Sequence, residues 1–91
     1  ADELERDVLE PYRAMRRGLF AIQDIPERLR PLFHELDRYT AARITAWELF
    51  IAALREPAPD KQQAMLADYK LREAEVTDRR TAFSAALQRL E

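Results

Sequence analysis

The strongest constraint in this chain is an unbroken apolar rhythm between Leu29 and Leu54. Leu29, Phe33, Leu36, Thr40, Arg43, Trp47, Phe50 and Leu54 follow one another in alternating steps of four and three, the spacing that places side chains on one face of an α-helix. Leu32, Tyr39 and Ile51 widen the stripe. A single glycine in 91 residues argues strongly against β-hairpins and sandwiches, because they need glycine at positive-φ turn positions. Abundant Ala, Leu, Glu, Gln and Arg favour helix instead. The expected class is all-α, as one helical domain over residues 1–91.

Two further periodic segments flank this one. Leu4, Val8, Tyr12, Met15, Leu19 and Ile22 mark a first helix over residues 2–23, about 33 Å long at 1.5 Å per residue. Pro11 interrupts it, since a mid-helix proline loses a hydrogen bond and crowds the turn before it. The expectation there is a bend or a separate frayed turn. Asp24, Pro26 and Glu27 suggest a capped start for the second helix. Pro57 and Pro59 end that helix, and Asp60 with Gln63 suggests a second cap. Met65, Leu66, Tyr69, Glu73, Val76, Arg80, Phe83, Leu87 and Leu90 then trace a third helix. The predicted fold is an antiparallel three-helix bundle with two long helices, about 25–55 and 59–90, and a shorter first one.

A hairpin about Pro57 and Pro59 brings Phe33 near Phe83, Tyr39 near Val76, Trp47 near Tyr69 or Asp68, and Phe50 near Met65 or Leu66. It also sets Arg43 opposite Glu73. A charge on an apolar seam is costly unless compensated, so Arg43 and Glu73 are expected to pair and to set register. With a short first link, Leu19 meets Leu29, Met15 meets Phe33 and Tyr12 meets Leu36. The first helix would then run out near residue 44 of the second. Trp47, Phe50, Ile51, Leu54, Met65, Leu66 and Tyr69 would remain uncovered, and an exposed aromatic and methionine-rich patch marks a partner-binding surface.

The run from Leu32 to Leu54 resembles an EF-hand, with Asp37, Ile44 and Glu48 at the first, eighth and twelfth loop positions. That family's calcium loop needs oxygen ligands at positions three and five and glycine at six. Tyr39, Ala41 and Ala42 stand there, so no calcium site is expected. Thr45 and Glu48 form a capping-box pattern that could start a new helix. The apolar period nevertheless crosses residues 40–45 without a phase shift, and a continuous helix is expected.

Other chemistry is sparse. His34 is the single histidine and there is no cysteine, so neither a zinc site nor thiol chemistry is expected, and the redox compartment is left open. Ser84 has no base within helical reach, no glycine-rich loop cradles phosphate, and no catalytic residue or cofactor is expected. Thirteen of the fifteen basic residues are arginines, interleaved with acids to a net charge of −2, which argues against nucleic acid as a partner. No segment approaches the roughly 20 apolar residues of a membrane span, so no membrane insertion is expected. The leading expectation is a non-catalytic protein-binding module of adaptor, chaperone or inhibitor type, docking a protein partner or forming a homodimer. The alternative is an extracytoplasmic helical sensor or ligand-binding domain of a larger receptor.

Overall fold

The computed structural model describes residues 1–22 and 24–90. Gln23, where the first helix was expected to end, and Glu91 lie outside the described residues. Three helical rods make up the fold of the described residues. The first, α1, is built in three parts: an α-helical turn Asp2–Leu4, a π-helical turn Glu5–Leu9 and an α-helix Glu10–Ala21. The second, α2, spans Arg30–Arg55, and the third, α3, spans Pro59–Gln88. The all-α three-helix architecture predicted from periodicity is the one found.

The π-helical turn answers the question posed by Pro11. In a regular α-helix the proline ring would press on the carbonyl four residues back. Here the Glu10 N–H bonds to the Glu5 carbonyl, five residues back, and the widened turn just before Pro11 takes up the strain. Helical geometry therefore continues through Leu4, Leu9 and Glu10, with neither a frayed piece nor a break.

The start of α2 corrects the sequence reading. Asp24 does not cap it, and the α-helix begins at Arg30, preceded by a 3-10 turn at Glu27–Leu29. Pro31 explains the delay. An α-helix begun near residue 25 would need the missing Pro31 N–H, whereas a start at Arg30 leaves Pro31 in the first turn, where amides have no intrahelical partner. Asp60 likewise makes no cap. Instead the Glu56 carboxylate accepts from the Ala58 N–H at 3.1 Å, and the Gln62 amide donates to the Ala53 carbonyl at 3.0 Å, tying the turn together.

Residues 40–45 are helical throughout. Thr40, on the apolar face, is fully buried, and its hydroxyl donates to the Leu36 and Asp37 carbonyls, both at 3.0 Å. The helix backbone itself thus satisfies the hydroxyl, so a small polar side chain costs little there.

The dominant packing is between α2 and α3, with α1 laid against α2. Tyr39 stacks on Phe83 with ring centroids 6.3 Å apart, and Phe50 meets Tyr69 at 4.9 Å. The hairpin topology is that expected, but its register is shifted by one to two turns: Phe83, expected near Phe33, stacks on Tyr39, and Phe50, expected near Met65 or Leu66, meets Tyr69. Helices α1 and α3 barely touch each other, so α2 is the middle member of a flattened layer, 49 × 23 × 15 Å. Full burial is confined to Leu9, Thr40, Ala46, Ile51, Ala53, Val76 and Ala86 among the described residues.

Candidate interaction site at the hairpin end

The position of α1 is the largest departure from the sequence reading. The short-link alignment set Arg13 opposite Glu35, yet Arg13 bonds Glu48 at 3.3 Å. Arg16 bonds Asp37 at 3.0 Å, and Arg55 bonds both Asp2 at 2.6 Å and Glu5 at 2.8 Å. Helix α1 therefore runs alongside α2 to its C-terminal end and does not stop near residue 44. The reason is the longer link. Because α2 starts only at Arg30 and Ile22 and Pro26 have extended backbone (ψ 118° and 139°), α1 can slide towards the hairpin. The acids Asp2 and Glu5 then reach Arg55, whose guanidinium they hold above its usual range, Glu5 first. Arg13 is raised likewise, chiefly by its hydrogen bond to Glu10.

This shift divides the expected partner-binding residues. Ile51 is not uncovered: it is 3% exposed, and with Leu9, 2% exposed, it lines a cleft of about 450 Å³ at the α1/α2 junction. Met65 borders the same cleft. Trp47, Phe50, Met65, Leu66 and Tyr69 are half-buried, and Leu54 is 45% exposed. The structure does bring the three aromatic residues together. Trp47 sits edge-on to Phe50 at 5.9 Å, and Phe50 continues to Tyr69. Such offset and edge arrangements suit the ring quadrupoles.

The expected Arg43–Glu73 ion pair is also corrected, since no salt bridge joins them among the described residues. Arg43 donates from Nε to the Tyr39 hydroxyl at 3.1 Å, and the Tyr69 hydroxyl donates to Glu73 Oε1 at 2.6 Å. Each charge is bound by the tyrosine one turn earlier on its own helix, a spacing that brings side chains into contact. Glu73 still acts on Arg43 through space, and Tyr12 on α1 and Tyr69 on α3 also lie within its electrostatic range. Arg43 is held above its usual range, first by the Tyr39 hydrogen bond. Tyr69 is pushed up to about 12, first by burial and then by Glu73, with Arg43 opposing.

Sequence reasoning gave Arg55 and Glu35 no role, and it set Tyr12 against Leu36, whereas Tyr12 acts on Arg43. The tyrosine–charge spacing of four was visible at Tyr39–Arg43 and Tyr69–Glu73, but the reach of α1 was not. Glu35 keeps one enclosed carboxylate oxygen without a hydrogen-bond partner among the described residues. No cluster of three or more His, Asp or Glu side chains able to hold a metal ion occurs among the described residues. Nor is any helix there long and apolar enough to cross a membrane. No protein family, curated protein or solved structure matches this chain.

Proposed function

We propose that the chain is a non-catalytic helical interaction module, of adaptor, chaperone or inhibitor type, that binds a partner or itself through the hairpin end of α2 and α3. The carrying observation is the half-buried Trp47–Phe50–Tyr69 aromatic series beside Leu54, which is 45% exposed. A domain with a finished core would enclose such rings more fully, and aromatic anchors at the edge of a core are the usual high-energy elements of interfaces. Charged groups that could serve chemistry are engaged in structural pairs: Glu73 with Tyr69, Arg43 with Tyr39, and Glu48 with Arg13. The partner is a protein surface, with no nucleic acid and no membrane insertion by this segment.

The test measures mass in solution and binding of an apolar dye, read by energy transfer from Trp47, the chain's single tryptophan. The wild type should either self-associate or, as a monomer, bind the dye. Leu54→Asp should abolish whichever occurs while the far-ultraviolet helix signal is unchanged. A monomeric wild type that binds no dye would sink the reading.

A further inference from the structure

The contacts of α2 divide its circumference. Asp37, Glu48 and Arg55 face α1, while Tyr39, Phe50 and Ala53 face α3. Between those two arcs runs the stripe Leu36, Arg43, Trp47, Leu54, half-buried except for Leu54, which is exposed. Its spacings are seven, four and seven residues, a pattern that reads the same in both directions about residue 45. An antiparallel pair of such stripes sets Leu36 against Leu54 and Arg43 against Trp47, twice over.

We infer that the surface at this stripe is occupied by a second copy of the chain, docked antiparallel across α2 about a two-fold axis at the level of residue 45. This rests on the interaction-module reading and names the partner. A two-fold interface must be self-complementary, and this stripe is. Each Arg43 guanidinium would lie over Trp47 of the other copy, the best aromatic partner for a cation. Tyr39 already fixes Nε, with its ring centroid 5.7 Å from the guanidinium carbon, and no carboxylate claims the guanidinium in an ion pair among the described residues. The two Glu73 carboxylates, which already act on Arg43, offset the meeting of two cations near the axis. Further apolar side chains are exposed on the two flanking helices. Met15, 42% exposed, follows Tyr12 by one turn on α1, and Leu87, 43% exposed, lies five turns beyond Tyr69 on α3.

The surface area agrees. A folded monomer of 10.7 kDa should expose about 5,500 Å², whereas this chain exposes 6361 Å². The excess is close to the ~800 Å² that each partner contributes to a standard interface. The radius of gyration, 15.4 Å, likewise exceeds the ~12 Å of a compact chain of this length. A second layer laid on the first supplies the missing thickness.

Light scattering on the wild type should give about twice the single-chain mass of 10.7 kDa. Leu54→Asp, at an exposed position where folding is not at stake, should return it to the single-chain mass with helicity retained. Trp47→Asp should do the same. Because the chain has no cysteine, introduced ones report orientation. An oxidised mixture of Leu36→Cys and Leu54→Cys chains should form the mixed disulfide at least tenfold faster than either variant forms its own, since like positions sit ~27 Å apart along the helix axis. Disulfides between like positions, or a dimer that survives Leu54→Asp, would overturn the arrangement. A wild-type monomer at millimolar concentration that binds the apolar dye through Leu54 overturns the second copy and leaves the module reading standing. A monomer that binds no dye overturns both.

Discussion

Arg43 on α2 and Glu73 on α3 lie within electrostatic range of each other yet form no ion pair, each being bound to the tyrosine four residues earlier on its own helix. Intrahelical partners win because their geometry is fixed by the helix, whereas an interhelical pair must bring two long side chains to one point at an entropic cost.

A double-mutant cycle of Arg43→Leu and Glu73→Leu should therefore give a coupling below about 0.5 kcal/mol. The cycle of Tyr69→Phe and Glu73→Gln should give about 1 kcal/mol or more, as befits a hydrogen bond to a charged group. Denaturant unfolding of the single and double variants measures both. A larger coupling for the first pair than for the second would restore the direct ion pair.

Tyr69 carries a pH dependence of known sign. Its pKa is pushed from 10.0 up to about 12 by burial and by Glu73, so the folded state holds the phenolic proton more tightly than the unfolded state. The resulting stabilisation is fully present below pH 10 and is lost as pH rises through about 12. Stability followed between those limits should fall for the wild type, and fall less for Tyr69→Phe. Ultraviolet titration should show one late-ionising phenol that Tyr69→Phe removes.

Thr40 is retained for size more than for polarity. Its hydroxyl bonds carbonyls of its own helix in a fully buried position. Thr40→Val, of nearly equal volume, should cost less than about 1 kcal/mol. Thr40→Leu should cost about 1–3 kcal/mol by overpacking. A reversed order in thermal unfolding would mean that the hydroxyl matters beyond its own helix.

The attachment of α1 combines one deep apolar anchor with a row of ion pairs that range from half-buried to exposed. Leu9→Ala should cost about 2–4 kcal/mol, as for other buried leucines, while Arg16→Ala, which removes the 3.0 Å bond to Asp37, should cost at most about 1 kcal/mol. Molar salt should screen the pairs of Arg13, Arg16 and Arg55. Amide exchange in α1 should then accelerate more than in α2 or α3. Uniform acceleration across all three helices would count against this division of labour.

The helices could be read from the chain because period and punctuation are local properties. The four-and-three stripe from Leu29 to Leu54 fixed the long middle helix, and Pro57 and Pro59 fixed its end and so the α2/α3 hairpin. The same stripe also carried the continuous helix through Thr40. Part of the candidate site was legible for the same reason, since Trp47, Phe50 and Tyr69 lie close to a turn whose geometry two prolines constrain.

What the tertiary structure alone decided was how far α1 travels along α2. The link of Ile22 to Leu29 has no period to count, and its length depended on Pro31 forbidding an earlier helix start. That delay let α1 slide until Asp2 and Glu5 met Arg55, burying Ile51 beneath Leu9 and leaving Leu54 open. Sequence spacing determines which residues share a face of one helix, because every turn repeats the same geometry. The face that ends up covered depends on the relative placement of separate helices, which is settled only when distant side chains such as Arg13 and Glu48 meet.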